Sequence, residues 1–297
     1  MEERTYAAAG VSLATADSVV ERLRAAVEST GAAGFGAFAG LYPLDDRRLL
    51  AASTDGVGTK LILARERGAL RACGADLAAH CINDVLTTGA APLFLLDYVA
   101  ANRISLDEVA ELVDGAAEVC RAAGVALLGG ETAELPGIYR EDELDFAGTC
   151  VGIVDRERVV DGSAIREGDV VVGFPSAGVH ANGFTLVRRV LEEEDYTGDD
   201  LLAPTRLYLE EVRALAGPHG LAHITGGGIE GNLGRVVPEG LRAEIDWESW
   251  ERPPVFHWLA RHVEEDELRR VFNLGIGFCG LLPRPDGGRV IGRIVAA

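Results

Sequence analysis

Residues 53–60 read Ser-Thr-Asp-Gly-Val-Gly-Thr-Lys, and they follow the apolar run of residues 49–52. The apolar run predicts a short buried strand, so the polar stretch is expected at the point where that strand ends. Gly56 and Gly58 would let the backbone come close to a ligand, because glycine has no Cβ. Asp55 offers a hard oxygen atom of the kind that magnesium prefers. The stretch therefore predicts a site for a nucleotide triphosphate and its metal ion.

Lys60 closes this stretch and is the only lysine of the chain; apart from histidine, every other basic residue is arginine. Its compact positive charge suits a phosphate group, and Thr54 and Thr59 add hydroxyl groups. The spacing is not that of a Walker A loop, which needs Gly-x-x-x-x-Gly-Lys-Ser/Thr. A lone lysine can also fall here by chance, because short motifs have high false-positive rates. We interpret Lys60 as an amine with a specific task at the phosphates.

Length and charge bound the class of protein. The chain has 297 residues, of which 48% are hydrophobic, so it can bury a core in one large domain or two ordinary ones. Its formal net charge of −19 argues against nucleic acid or an anionic membrane as a partner, because both would be repelled. No apolar run reaches membrane-spanning length, and the N-terminus lacks a signal-peptide pattern. A cytoplasmic protein is expected.

The composition also indicates the environment of the protein. An acidic excess with arginine in place of lysine is typical of adaptation to high salt, which we favour, although GC-rich codon usage would produce the same arginine bias. The five cysteines lie in apolar surroundings and include no Cys-x-x-Cys pair. They predict buried free thiols rather than disulfides or zinc ligands.

A polar stripe interrupts the helix predicted over residues 70–89. Asp76, His80 and Asn83 or Asp84 are spaced by three or four residues, so they share one face of that helix. Metal-assisted phosphate binding would explain such a stripe. A capping or turn role is the alternative, and it suits Asp76 better than Asp84.

Two glycine-rich segments flank other predicted elements of the first half. Gly129 and Gly130 follow the buried strand predicted over residues 125–128 and precede Glu131, which repeats the arrangement around Asp55. Glu131 is thus a further acidic residue near the end of a predicted strand or helix, which favours a site that binds metal and phosphate. The segment Gly34-Phe35-Gly36 is either a mobile lid over a nucleotide or a plain linker.

The second half opens after the polar segment 156–168, where we place a domain boundary. A strand over 169–174 leads into a turn with His180 and Asn182, and a helix from residue 184 could receive an anion at its start. An amphipathic helix is predicted over 205–216. His223 then precedes a turn of three glycines, residues 226–228. Alternating strands and helices in the first half indicate an α/β or α+β layer, whose strand order cannot be read.

These motifs resemble those of the phosphoribosylformylglycinamidine cyclo-ligases, also called aminoimidazole ribonucleotide synthetases. The resemblance runs through nearly the whole chain. Its carriers are Gly34-Phe35-Gly36, residues 54–60, Asp76 with Asn83 and Asp84, Leu96-Asp97-Tyr98, residues 129–134, His180 with Asn182 and Gly183, residues 202–206 and residues 225–228. The elements Asp-Gly-Val-Gly-Thr-Lys and Gly-Gly-Glu-Thr-Ala-Glu are the most specific.

The resemblance implies a fold and an activity. The fold would have a mixed-sheet N-terminal domain, residues 1–160, that binds ATP and magnesium and forms a homodimer. An α+β C-terminal domain, residues 161–297, would lie on the substrate side. The activity would be the ATP-dependent cyclisation of formylglycinamidine ribonucleotide to aminoimidazole ribonucleotide in purine biosynthesis, with ADP and phosphate as the other products.

The resemblance also implies roles for individual residues. Magnesium would be held by Asp55, Asp76 and Asp84. Catalytic roles would fall to Lys60, His180 and His223, either histidine being able to shuttle a proton. The nucleotide-binding set would be Gly34, Gly36, Thr54, Asp55, Gly56, Gly58, Thr59, Asn83, Gly129, Gly130, Glu131, Asn182, Gly226 and Gly227.

Some features depart from the family pattern. Residues 283–288 bridge the last two strands, where family members carry a helix, and residues 228–232 differ slightly from the usual continuation. The competing interpretation is a catalytically silent or differently specific nucleotide-binding paralogue. The intact set of Asp55, Lys60, Asp84 and Glu131 argues against it.

Overall fold

The computed structural model describes residues 4–31 and 35–297, and the strands of this part form two five-stranded sheets. The first sheet has the order β1-β2-β5-β3-β4, and only β3 and β4 run parallel. Its strands are β1 (Gly40–Pro43), β2 (Arg48–Gly56), β3 (Ala91–Ala101), β4 (Ala126–Glu134) and β5 (Leu144–Asp155). The mixed sheet expected in the first half is confirmed.

The second sheet is antiparallel throughout, with the order β7-β9-β6-β10-β8. Its strands are β6 (Val170–Pro175), β7 (Gly220–His223), β8 (Leu241–Ile245), β9 (Ile276–Leu282) and β10 (Arg289–Ala296). Every residue of β9 is buried, as expected for a strand with neighbours on both sides and helices against the sheet. The α/β (α+β) class with two layered units is thereby confirmed.

The described α-helices are α1 (Leu13–Glu28), α2 (Lys60–Glu66), α3 (Leu70–Leu86), α4 (Leu106–Ala123), α5 (Phe184–Leu191), α6 (Leu209–Ala214), α7 (Gly228–Gly234), α8 (Pro254–Leu259) and α9 (Glu265–Val271). Ser105 caps α4, because its hydroxyl accepts a hydrogen bond from the Glu108 amide. None of these helices has the length and apolar character needed to cross a membrane.

Helix α3 is the centre of the first half. It packs against β2 and β5 on one side and crosses α4 so closely that a Cβ on Gly74 would lie 1.9 Å from the Leu112 carbonyl oxygen. A Cβ on Gly115 would lie 2.0 Å from the Arg71 carbonyl oxygen, so glycine is required on both helices. Almost the whole of α3 is buried, including its polar stripe. Each polar side chain of α3 therefore needs a partner inside the protein.

The opposite face of the first sheet is open. Most of β4 is exposed, and large apolar side chains on β1, β3 and β4 reach solvent. We call this surface the open sheet face and define it by Tyr42, Leu93, Leu96, Tyr98 and Leu128. Apolar groups concentrated on one side of a sheet mark an interaction surface more often than a solvated one.

Three local predictions differ from the structure. The strand β2 continues through Asp55 and Gly56 and does not end before them, and β4 continues through Glu131, because both strands keep neighbours over this length. The helix predicted over 205–216 is only α6, since residues 203–208 are irregular. The five cysteines are buried free thiols, as predicted.

Candidate active site

Two carboxylates meet where β2 lies against α3. Ser53 and Asp55 alternate with exposed residues along β2 and point toward the helix. The Ser53 hydroxyl donates to Asp84 Oδ2 over 2.9 Å, and His80 Nδ1 lies 3.1 Å from Asp55 Oδ2. His80 and Asp84 are four residues apart on α3, which places both on the face that β2 covers. The polar stripe thus brings Asp55 and Asp84 to one place.

A second imidazole joins them from the other half of the chain. His223, at the end of β7, has its Nδ1 2.9 Å from Asp84 Oδ1. The rings of His80 and His223 meet edge to face, with their centroids 5.0 Å apart. Each imidazole therefore pairs with one carboxylate, and the two pairs lie side by side. We call Asp55, His80, Asp84 and His223 the paired Asp–His cluster.

The pKa values of the two imidazoles of this cluster are shifted in opposite directions. Burial lowers the pKa of His80, but the hydrogen bond and negative charge of Asp55 outweigh it and raise the pKa above its ordinary value. Burial lowers the pKa of His223 and here prevails over Asp84. Burial raises the pKa of Asp55, yet His80 leaves it below the ordinary value. His80 therefore takes up a proton more readily than His223 does.

Three buried ring nitrogens in this region have no hydrogen-bond partner among the described residues: His80 Nε2, His180 Nδ1 and His223 Nε2. Buried polar atoms are nearly always satisfied by protein, water or a ligand. In the paired Asp–His cluster the Nδ1 atoms face the carboxylates, so the Nε2 atoms are the ones left for another group.

Lys60 lies beside this cluster but is committed to the protein. Its side chain is 0% exposed, and its ammonium lies 2.7 Å from Asp76 Oδ2. The ammonium also donates to the carbonyl oxygens of His180 over 2.8 Å and Ala203 over 3.1 Å. The ammonium thus makes two hydrogen bonds and one ion pair, all with groups of the protein. Lys60, which was predicted to bind phosphate, thus lies in a buried junction between the two halves of the chain.

Asp76 and Asn83 serve the same junction. Asp76 Oδ1 accepts hydrogen bonds from the amide and the hydroxyl of Thr205 over 2.8 and 2.7 Å. The Asn83 side chain donates to the Arg206 carbonyl oxygen over 2.8 Å and accepts from the Tyr208 amide over 3.0 Å. These contacts replace helical hydrogen bonds, which explains why the helix predicted from residue 205 starts later. Lys60, Asp76, Asn83 and residues 203–208 form what we call the junction.

A magnesium ion fits only part of the predicted ligand set. Among residues 4–31 and 35–297, no three or more His, Cys, Asp or Glu side chains are arranged as a metal site. Magnesium usually takes one or two carboxylates and completes its shell with water and phosphate oxygens. Asp55 and Asp84 suit that arrangement, because they converge and Asp55 is partly exposed. Asp76 does not, since both of its oxygens are used in the junction.

Glu131 lies on the other side of the sheet. Asp55 is opposite Gly148, Gly148 is opposite Asp97, and Asp97 is opposite Gly130. Directly opposed residues share a face, whereas successive residues of a strand alternate. Asp55 and Gly130 therefore share the face that α3 covers, and Glu131 shares the open sheet face with Tyr98. Within one copy of the chain, Glu131 does not join the paired Asp–His cluster.

The predicted glycines and threonines have varied local roles. Gly58 and Gly129 adopt φ angles of +70° and +130°, which favour glycine, and a Cβ on Gly130 would lie 1.9 Å from the Asp97 carbonyl oxygen. The Thr54 hydroxyl pairs with that of Thr149 over 2.8 Å, and Thr59 pairs with Thr185 over 3.0 Å. Gly56 donates its amide to Asp55 Oδ1 over 2.7 Å. Gly34 lies outside the described residues.

His180 and Asn182 occupy the turn before α5. His180 has a φ of +65°, and its Nε2 lies 3.3 Å from the Ala177 amide nitrogen, which donates to it. Burial, together with the neighbouring cationic groups, holds the pKa of His180 well below its ordinary value. Asn182 packs against the glycine turn, since a Cβ on Gly226 would lie 3.4 Å from Asn182 Oδ1. His180 is thus neutral and enclosed rather than open to solvent.

A large cavity, of about 1460 Å³, lies between α1, β1 and the start of α7. Gly36, Gly226 and Gly227 line it, as do Ala52 of β2 and three arginines. It exceeds the roughly 300–1,000 Å³ of typical ligand pockets, so it has room for a nucleotide. The arginines, Arg24, Arg235 and Arg270, were not part of the predicted site, because nothing in the sequence around them forms a known motif.

Comparison with known proteins matches both halves of the chain. The model of the AIR synthase related protein N-terminal domain matches residues 36–154, and that of the C-terminal domain matches residues 166–293. The phosphoribosylformylglycinamidine cyclo-ligase of Synechococcus sp. (strain CC9605) is 47% identical over 311 residues, covering 96% of this chain and 90% of that protein. The chain belongs to this family. The cyclo-ligase of Sorangium cellulosum (strain So ce56) is 46% identical, over 97% of this chain and 90% of its own length.

Solved structures share the fold of this cyclo-ligase family member. The structure described as AaThiL complexed with AMPPCP and TMP has a TM-score of 0.67 at 16% identity, covering 93% of this chain and 90% of that one. The structure described as T. maritima PurL complexed with ADP has a TM-score of 0.61 at 20% identity, covering 89% and 43%. At such identities the likeness concerns the fold alone.

Proposed function

We propose that this protein closes the imidazole ring of aminoimidazole ribonucleotide at the expense of ATP. The formamide oxygen of formylglycinamidine ribonucleotide would take the γ-phosphoryl group of ATP. An amidine nitrogen would then attack the activated carbon and expel phosphate. The observation that carries the proposal is the 47% identity to a cyclo-ligase over 96% of the chain. This match favours an active enzyme over a silent paralogue.

Magnesium would accompany the nucleotide, held by Asp55 and Asp84 together with phosphate oxygens. Bound there, it would neutralise the charge that builds up on the phosphates during transfer. The residues of the chain would prepare that position. His80 and Ser53 fix the two carboxylates by donating to one oxygen of each, and they leave lone pairs free on both groups.

Proton handling would fall to His223. Asp84 holds the imidazole with Nδ1 toward the carboxylate, so Nε2 is the atom left to accept a proton from the amidine nitrogen. The lowered pKa of His223 keeps that nitrogen unprotonated at neutral pH. His180 is the second choice, since its Nδ1 is also unpartnered. Lys60 would act indirectly, by fixing the junction that carries the His180 backbone.

The nucleotide would occupy the large cavity. Gly36 would cover it from one side, and the backbone of Gly226 and Gly227 would approach the ligand from the other. Residues 1–160 would supply the magnesium and nucleotide contacts, and residues 161–297 would supply the substrate side. Thr54, Thr59 and the glycines at 56, 58, 129 and 130 would shape the phosphate end.

A turnover assay tests the proposed reaction. Purified protein is mixed with magnesium and ATP, and ADP release is followed with and without formylglycinamidine ribonucleotide, in dilute and in molar salt. We expect release of ADP only with the ribonucleotide, and a higher rate in molar salt if the net charge of −19 reflects a saline cytoplasm. Absence of substrate-dependent ADP at both salt concentrations would contradict the proposal and favour the silent paralogue.

We also propose a homodimer that covers the open sheet face. Leu96 is 42% exposed and Leu128 is 62% exposed, and exposed apolar surface on this scale is costly in a monomer. A Leu96→Glu substitution would place a charge in that interface. Light scattering after gel filtration should give a dimer mass for the original protein and a monomer mass for the variant. A monomer mass for both would contradict the dimer.

A further inference from the structure

Arg235 directly follows α7, and its guanidinium opens into the large cavity. The guanidinium carbon lies 3.8 Å from the centre of the Phe38 ring, and one nitrogen donates to the Gly36 carbonyl oxygen over 3.4 Å. Phe38 is itself almost fully buried, so the ring is a fixed platform. Stacking on this platform sets the plane of the guanidinium. Among the described residues the guanidinium makes one hydrogen bond, to Gly36, so its other N–H groups have no partner there.

The other two arginines of the cavity are compensated by carboxylates. Arg24 pairs with Glu21 over 3.1 Å, and Arg270 donates to Glu267 with two of its nitrogens. Arg235 differs, because no described carboxylate lies within 4.0 Å of it. The surrounding protein desolvates Arg235 and lowers its pKa, and the more distant charges of Asp84 and Asp55 offset this only in part. Arg235 is thus a partly exposed cation that lines the large cavity and has no described carboxylate beside it.

An incompletely paired cation in a partly desolvated place is stabilised by an anionic ligand. A planar guanidinium with a free edge matches the bidentate geometry of phosphate oxygens. The neighbouring wall, Gly226 and Gly227, carries no side chains that would obstruct a phosphate.

We propose that Arg235 is a phosphate-binding residue, which grips a phosphate group of a nucleotide bound in this cavity. This inference rests on the proposed function for the identity of the nucleotides. Two sources share the chemistry: the 5′-phosphate of the ribonucleotide substrate and the triphosphate of ATP. Phe38 acts as the positioning residue that orients the guanidinium.

The test measures ligand binding without turnover, so it stands apart from the cyclisation assay. Calorimetric titrations with a non-hydrolysable ATP analogue and, separately, with ribose 5-phosphate are compared for the original protein, Arg235→Gln and Arg235→Lys. We expect Arg235→Gln to weaken one of the two probes by about tenfold to a hundredfold, the effect of losing a charge-assisted contact. The probe whose affinity falls identifies the ligand that carries the phosphate. Arg235→Lys should recover part of the affinity, because it keeps the charge but not the planar fork.

Two controls separate binding from a structural role. Arg293→Gln removes the same charge from β10, where Arg293 pairs with Glu244, and should leave both affinities within about twofold. Phe38→Leu keeps the cation but removes its platform, so it should weaken the same probe as Arg235→Gln by a smaller factor. Unchanged affinity of folded Arg235→Gln for both probes would overturn the inference. If the original protein binds a probe through Arg235 but turns over no ribonucleotide, the proposed reaction fails and this inference stands.

Discussion

The junction and the cavity each contain a positively charged side chain in a place suited to phosphate, and they use it in opposite ways. Lys60 belongs to the most specific motif of the sequence, yet its ammonium is enclosed by Asp76 and two carbonyl oxygens. Arg235 belongs to no motif, yet its guanidinium faces a cavity and lacks a carboxylate within 4.0 Å among the described residues. We infer that a cation can bind a phosphate ligand when no group of the protein compensates its charge. Whether the residue belongs to a sequence motif does not decide this alone.

The contrast also explains how the two halves depend on each other. The junction joins α2 and α3 of the first half to residues 180 and 203–208 of the second through buried polar contacts. These contacts hold His180 in a left-handed conformation and lie next to the paired Asp–His cluster. A rigid junction would keep the cluster and the glycine turn in register, while the cavity beside them stays open for ligands.

The largest expected effect is on stability, from Lys60→Met. Removing one member of a buried ion pair leaves Asp76 charged without a counterion, so the free energy of unfolding should fall by about 3–5 kcal/mol. Urea unfolding measures it. In the double variant Lys60→Met/Asp76→Asn both charges are gone, and much of the loss should be recovered. Unchanged stability of the single variant would mean that Lys60 is not committed to the junction.

A smaller effect is expected from Thr205→Val. The substitution removes the hydroxyl that donates to Asp76 Oδ1 over 2.7 Å, while the Thr205 amide keeps its own hydrogen bond. The free energy of unfolding should fall by about 1–3 kcal/mol, as for a buried hydrogen bond to a charged group. Ser163→Ala is the control, since its hydroxyl bonds to Asp161 on the surface, and it should change stability by less than about 0.5 kcal/mol. Equal losses of stability in the two variants would show that the hydrogen bond in the junction stabilises the fold no more than one on the surface.

The smallest effect concerns an ion pair near the surface. Hydrogen bonds from Arg252 lower the pKa of Glu265 from 4.5 to about 2, and Arg269 adds to this. A depressed carboxyl pKa contributes stability above the unfolded value of 4.5, and that contribution is lost as the pH falls toward 2. Solvent screening limits it to about 1 kcal/mol or less. Glu265→Gln should flatten the stability profile between these pH values without changing the slope above pH 5. An unflattened profile would contradict the pairing.

Much of the fold could be predicted from local sequence. The strand predicted over residues 169–174 and the helix predicted over residues 70–89 lie close to β6 and α3 as observed. The polar stripe of α3 predicted that Asp76, His80 and Asp84 share one helix face, and in the structure His80 and Asp84 contact β2 through Asp55 and Ser53. The prediction of a helix over residues 205–216 was wrong at its start. Asp76 and Asn83, more than a hundred residues away in the chain, accept hydrogen bonds from the backbone amides of this segment.

The partners of the two cations could not be predicted for the same reason. Lys60 contacts carbonyl oxygens at residues 180 and 203, and Arg235 stacks on Phe38, so both environments are created by long-range packing. Backbone oxygens carry no sequence signature at all. The paired Asp–His cluster was predicted in part, since His80 and His223 were singled out, but their edge-to-face contact depends on how β7 meets α3.

The most direct test compares phosphate binding by proteins that have lost one or the other cation. Calorimetric titration with the ATP analogue and with ribose 5-phosphate is made for Arg235→Gln and for the charge-balanced Lys60→Met/Asp76→Asn. We predict that Arg235→Gln loses about tenfold or more in affinity for one probe, whereas the double variant stays within about twofold of the original protein for both. If Arg235→Gln keeps full affinity for both probes and the double variant loses it, the account is contradicted. Phosphate binding would then be assigned to Lys60.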